Sequence, residues 1–178
     1  MEHFLVSYGL DMGRFQELLN ETNALVAGSA PLALYLQQHG IEPGFEPCDL
    51  DIWIEDTREM VTGSGIRQRG NRYRYTKMLV EQDYHCVSTF CPEQEEEEEL
   101  HYITRIQTFR KNGKDVQLIF LDQSDIWSYM LKNFDLSVCM TWWNAASNEL
   151  ETMWPEETRQ KIMYYYPCLL YTSDAADE

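Results

Sequence analysis

Apolar and polar positions along the chain recur with two different periods, and their order sketches the fold. Phe15, Leu18 and Leu19 share one side of a helical wheel and predict a short amphipathic helix from about Asp11 to Asn20. Ala24 to Ala27 is a compact apolar run that reads as a buried strand, and Gly28-Ser29 breaks it. Ser29 is suited to cap the helix that follows, Pro31 is tolerated in its first turn, and Leu32, Leu34, Tyr35 and Leu36 supply apolar surface before Gly40 ends it. Residues 41–48 contain Pro43, Gly44 and Pro47 and read as a loop. Beyond it Leu50, Ile52 and Ile54 alternate with Asp49, Asp51 and Trp53 in strand period, so Asp49 and Asp51 project from one face.

The pattern continues past a glycine-punctuated stretch at 57–70. Arg72 to Glu81 predicts a helix with Tyr75, Met78 and Leu79 inward. Glu93 to Glu99 is an acidic run that repels itself and reads as a solvated segment. Tyr102 to Arg110 and Asp115 to Leu121 are rich in β-branched and aromatic residues, and the Asn112-Gly113 pair between them predicts a hairpin. Ser124 caps a predicted helix from Asp125 to Lys132, Leu136 to Met140 reads as a strand running into Trp142-Trp143, and Pro155 opens a last helix to about Tyr164. The succession α, β, α, β, α, β, β, α, β, α predicts an α+β fold with α/β-like character, a mixed sheet flanked by helices.

Length and composition narrow the picture. A chain of 178 residues fits one domain, expected over 1–167, and 44% hydrophobic with 13% aromatic residues is the composition of a folded body. The last eleven residues, from Cys168 to Glu178, resemble the translated adapter sequence found at the ends of metagenomic reading frames, so 168–178 is expected to be a non-native tail that replaces the true C-terminus. With 30 acids against 14 bases the net charge is −16, which disfavours non-specific attraction to nucleic acid or anionic lipid. No apolar run approaches the roughly 20 residues of a membrane helix, and no secretory grammar opens the chain, so a cytoplasmic protein is expected. Cysteines at 48, 86, 91, 139 and 168 are odd in number and scattered, as free thiols in a reducing compartment would be.

The chemistry concentrates in two places. Asp49 and Asp51, side by side on a strand face, are the oxygen ligands that Mg2+ prefers. Gly28-Ser29 is a turn into a helix start, where backbone N–H groups and the helix dipole favour phosphate. An apolar strand, Gly-Ser, a helix, and then Asp-x-Asp within the next apolar strand together form a signature. Through Val26 to Leu36 and Cys48 to Ile54 the chain resembles the nucleotidyltransferase superfamily, with its polymerase-beta-type fold. Ile103 to Phe109, Lys114 to Ile119 and Asn133 to Cys139 extend the resemblance to nucleotidyltransferase-like proteins of large DNA viruses and some eukaryotes, over about residues 20 to 145.

The resemblance implies transfer of a nucleoside monophosphate from a nucleoside triphosphate to an unknown acceptor, a nucleic acid, protein or small molecule. Asp49 and Asp51 would hold Mg2+, and Gly28 and Ser29 would bind the phosphates. Active members carry a third carboxylate on a later strand, and the matching position here is Gln117, whose amide supplies neither negative charge nor a useful base. Asp115 lies about 7 Å from it along the strand. Asp135, at the start of the next predicted element, is a candidate replacement, although a turn also welcomes aspartate for local hydrogen bonds. A catalytically degenerate relative that binds nucleotide or protein is the alternative, and an interaction module without a nucleotide pocket is a third. Arg67, Arg69, Arg72, Arg74 and Lys77 gather five of the fourteen bases within eleven positions. From that cluster Arg72 and Lys77 are candidates for holding the triphosphate, against the reading of a solvated basic face. His85, Cys86 and Cys91 lack a second pair at zinc spacing.

Overall fold

The computed structural model of the chain describes residues 2–57, 60–61, 67–92, 102–122 and 125–165. The acidic run from Glu93 to Glu99, Ser124 and the tail 168–178 lie outside the described residues. In chain order the helices are α1 (Glu2–Tyr8), α2 (Met12–Thr22), α3 (Ser29–Gln38), α4 (Asn71–Val80), α5 (Ile126–Asn133) and α6 (Pro155–Arg159). The strands are β1 (Leu25–Ala27), β2 (Asp49–Glu55), β3 (Met60–Val61), β4 (Arg67–Gln68), β5 (His85–Phe90), β6 (Ile103–Lys111), β7 (Lys114–Leu121), β8 (Thr141–Asn144) and β9 (Glu149–Thr152). Seven of them form one sheet in the order β5-β6-β7-β2-β1-β8-β9, while β3 and β4 pair separately. Only β2 and β7 run parallel within that sheet; its other neighbours are antiparallel. The architecture is mixed α+β, as the residue pattern predicts.

Strand alternation divides the apolar residues between two layers. On one face Leu50, Ile52, Ile54, Leu118 and Phe120 are fully buried against Phe15 and Leu19 of α2 and Tyr75 and Leu79 of α4. On the other, Ile119, Leu121 and Trp142 pack with Ile126, Tyr129 and Met130 of α5. Trp143 stacks on Phe15 across the first layer, and Trp142 meets Trp127 edge-on in the second, so the tryptophan pair reaches through the sheet. No helix among the described residues is long and apolar enough to cross a membrane.

Local signals act largely as expected, with specific departures. Asp11 caps α2 by accepting from the Arg14 N–H, and Asn23 closes it in the left-handed region. Asp125 caps α5 through the Ser128 N–H. The Asn112-Gly113 turn joins β6 to β7, both residues having positive φ. The predicted strand over Leu136 to Met140 is instead a 3-10 turn at Ser137–Cys139. β1 is only three residues long, and the pairing of Ala27 with Trp142 would set Met140 opposite Ser29, which already belongs to α3, so the segment cannot extend the pairing of β8 with β1; Leu136 instead makes an isolated bridge to Tyr165. The last helix stops at Arg159 rather than about Tyr164, because Lys161 turns into the left-handed region. Ser29 is not the cap of α3: Gly28 occupies that position, and no side chain caps it.

One buried polar contact ties the two helices of the first layer together. Thr22 Oγ1 donates to the Leu18 carbonyl at 2.7 Å and lies 2.7 Å from the Tyr75 hydroxyl, which is left to donate to it. Thr22→Val should therefore cost about 1–3 kcal/mol in urea unfolding by stranding that hydroxyl, and adding Tyr75→Phe should recover part of the loss.

Candidate functional site

β2 carries the candidate carboxylates because its apolar residues all take the opposite face. Leu50, Ile52 and Ile54 are fully buried, which leaves Asp49, Asp51, Trp53 and Glu55 half-buried on the other side. α5 covers the Trp53 end of that face: the Trp53 ring lies 5.7 Å from Tyr129 and 4.9 Å from Phe134. The Asp49 and Asp51 end lies beyond these ring contacts.

The turn before α3 meets the carboxylates there. Antiparallel pairing aligns Val26 with Ile52, so the next step along β1 brings Ala27 beside Asp51 and the chain leaves the sheet at Gly28. Gly28 has φ 108 and ψ −147, in a region essentially restricted to glycine. A Cβ at this position would stand 3.1 Å from Asp51 Oδ2. The Gly28 N–H donates to the Thr141 carbonyl at 3.1 Å and so belongs to the sheet, not to a ligand. Ser29 and Ala30 hold the first N–H groups of α3, Pro31 having none. Sequence-predicted Gly28, Ser29, Asp49 and Asp51 thus come together at one sheet end.

The neighbours of the pair shape its charge. In the parallel register Asp49 aligns with Asp115 and Asp51 with Gln117. Gln117 Nε2 donates to Asp49 Oδ2 at 2.7 Å. Arg110, aligned with Asp115 on β6, grips that carboxylate with both ends of its fork at 2.6 and 2.7 Å and lowers its pKa. Asp49 and Asp51 form no ion pair among the described residues. Burial first, and then the Asp115 charge, raise the Asp49 pKa against the Gln117 hydrogen bond that lowers it. Burial, and then the charge of Asp49, push Asp51 up to about 7.

Two residues without a sequence signal also feel this charge. Tyr8 closes α1, and burial followed by the charges of Asp49 and Asp51 lifts its phenol to about 12, so it stays a neutral donor. Cys139 is half-buried, and burial, then Asp51, then Asp135, raise its thiol pKa. Neither had a sequence signal, since each arrives from a distant segment. Asp135 lies between α5 and the 3-10 turn, not on a strand, and its Oδ1 is buried without a hydrogen-bond partner. Its charge and that of Asp51 act on the same thiol, but no bond joins the two carboxylates.

Arg72 and Lys77 are not brought to the pair. α4 packs on the opposite sheet face, through Tyr75, Met78 and Leu79. Arg72 is ion-paired to Asp56, beyond the far end of β2 and five residues from Asp51, about 16 Å of strand. Lys77 pairs with Glu81 at 3.6 Å on the exposed side of the same helix. His85, Cys86 and Cys91 gather no metal site, and among the described residues no three His, Cys, Asp or Glu side chains are placed to hold a metal ion.

Comparison of the chain with protein-family models, curated proteins and solved structures gives no match.

Two measurements probe this geometry directly. Gly28→Ala combines an unfavourable φ with a close approach to Asp51 and should lose about 1–3 kcal/mol of stability in chemical denaturation. The Asp51 carboxyl holds its proton at about 7 in the folded chain, against about 3.9 unfolded. The folded state therefore binds more protons between those values, and stability falls as pH rises from about 4 to about 7. Asp51→Asn should flatten that slope, so thermal unfolding should show the variant gaining on the wild type through this window and keeping its advantage at pH 8.

Proposed function

We propose that the chain is a nucleotidyltransferase-like domain, of the polymerase-beta type, that binds a nucleoside triphosphate through Mg2+ at Asp49 and Asp51. The observation that carries this reading is the contact of Asp51 with the glycine turn at the start of α3, 3.1 Å from where a Cβ would stand. It sets a carboxylate pair beside the N–H groups of a helix start, the two needs of a metal–phosphate ligand. The donor set fits the ion. Two half-buried carboxylates without cationic partners among the described residues, both with raised pKa, form a donor set whose charge a hard divalent cation would compensate. Gln117 can present its amide oxygen in place of its nitrogen by rotating end for end.

Transfer itself is less well provided. The register partner of Asp51 is Gln117, which cannot accept a proton from an attacking hydroxyl, and Asp115 is occupied by Arg110. The reading we favour is accordingly a catalytically degenerate member that binds nucleotide without moving it. One observation favours an active transferase: Asp135, with its buried and unpartnered Oδ1, acts on the same thiol as Asp51 and is the remaining candidate for a third carboxylate.

Labelled nucleoside triphosphate should bind the wild type in Mg2+, and Asp49→Ala/Asp51→Ala should weaken that binding at least about tenfold. EDTA should do the same, and no transfer product should form. Nucleotide binding that survives both the double substitution and EDTA would sink the proposal. Transfer that depends on Asp135 would replace it with the active reading.

A further inference from the structure

The opposite face of the sheet holds a second charged arrangement, at the other end of β2. Arg105, Gln107 and Phe109 alternate along β6 toward the α4 layer, where Phe109 is fully buried. The Thr76 hydroxyl meets Gln107 Oε1 at 3.4 Å. One helical turn back from Thr76 is Arg72, and two residues back from Gln107 is Arg105, so the helix and the strand carry their arginines to the same place. Phe120 confirms the alignment: it is the register partner of Arg105, and the Arg72 guanidinium carbon lies 5.7 Å from its ring. The Arg72 guanidinium thus lies over the phenylalanine that stands beside Arg105 in the sheet.

Among the described residues their charge is only half balanced. Arg72 pairs with Asp56, which also accepts from the Thr104 hydroxyl. Arg105 has no ion pair among the described residues, although acids outnumber bases 30 to 14 in the chain. The Nε atoms of both arginines are buried and have no hydrogen-bond partner. A buried guanidinium donor left unmatched is unfavourable, and an anion that accepts from it removes the penalty. The Arg72 side chain is 40% exposed, so the place opens to solvent.

We infer that Arg72 and Arg105 form a binding site for a phosphate group, either inorganic phosphate or the phosphomonoester of a larger ligand. Two guanidinium forks carried to neighbouring positions on one face would suit a tetrahedral oxyanion, which offers acceptors in several directions, better than a planar carboxylate. Asp56 tempers the site by holding one end of Arg72. The site stands apart from Asp49 and Asp51, on the other sheet face, and needs no metal.

Titration calorimetry of the whole chain in EDTA at low salt tests it, because the carboxylate pair would need Mg2+ to take phosphate. Inorganic phosphate should bind the wild type, bind Arg105→Gln at least about tenfold more weakly, and bind Asp56→Asn more tightly. Arg105→Lys keeps the charge, loses the fork, and should fall between wild type and Arg105→Gln. Without phosphate, Arg105→Gln should melt no lower than the wild type, and added phosphate should raise the melting temperature of the wild type alone. A nucleoside 5′-monophosphate that binds as phosphate does identifies the phosphate alone as the ligand; tighter binding of the monophosphate identifies a phosphomonoester. No phosphate binding by the wild type, or the same affinity in wild type and Arg105→Gln, overturns the inference.

Discussion

At residue 28 the chain has to leave a sheet, start a helix and pass a carboxylate within a few ångströms. Gly28 meets all of these demands because it has no side chain: φ of 108 is open to it, its N–H stays bonded to Thr141 on β8, and its α-carbon clears Asp51. The pairing of β1 between β2 and β8 depends on that passage, and so does the position of α3. The burial that raises the pKa of Asp51 arises in the same place. Local backbone strain and the electrostatics of the candidate site thus share an origin.

The sheet keeps its charges in separate compartments. On the face of Asp49 and Asp51, Arg110 is committed to Asp115 and the amide of Gln117 to Asp49, which leaves the pair electrostatically exposed to each other. On the opposite face, beyond the far end of β2, Arg72 is paired with Asp56, and Arg105 has no ion pair among the described residues. Among the described residues, a body of net charge −16 therefore holds two carboxylates without a cationic partner and an arginine without an anionic one. The sheet itself and about 16 Å of strand stand between them, so neither can relieve the other. Each is an arrangement that folding alone does not favour.

Much of this was legible along the chain. The alternation of Leu50, Ile52 and Ile54 with Asp49 and Asp51 fixed which face the carboxylates take, because a strand has a period of two and the apolar set must be buried. The Asn112-Gly113 turn and the 3.6-residue spacing of α2 and α4 were equally local. β5 escaped notice because it is an edge strand exposed at every position and so shows no alternation. β9 is similarly hard to read, with its polar residues half-buried or exposed. The segment Leu136 to Met140 has strand-like residues but cannot join the sheet, since β1 ends too soon, and pairs only through a bridge from Leu136 to Tyr165 among the described residues.

The sequence by itself determined the residue types, the periods and the turn chemistry, and with them the α+β order and the juxtaposition of Asp49 with Asp51 and of Gly28 with Ser29. Contacts between distant segments were decided only by the tertiary structure. Tyr8 and Cys139 feel the charge of the carboxylates, Gln117 bonds to Asp49, Arg110 takes Asp115, and α4 carries Arg72 and Lys77 to the wrong side of the sheet for that pair. The physical reason is that periodicity is written within a segment, whereas register and the choice of sheet face are set by which segments pack together to bury their apolar sides.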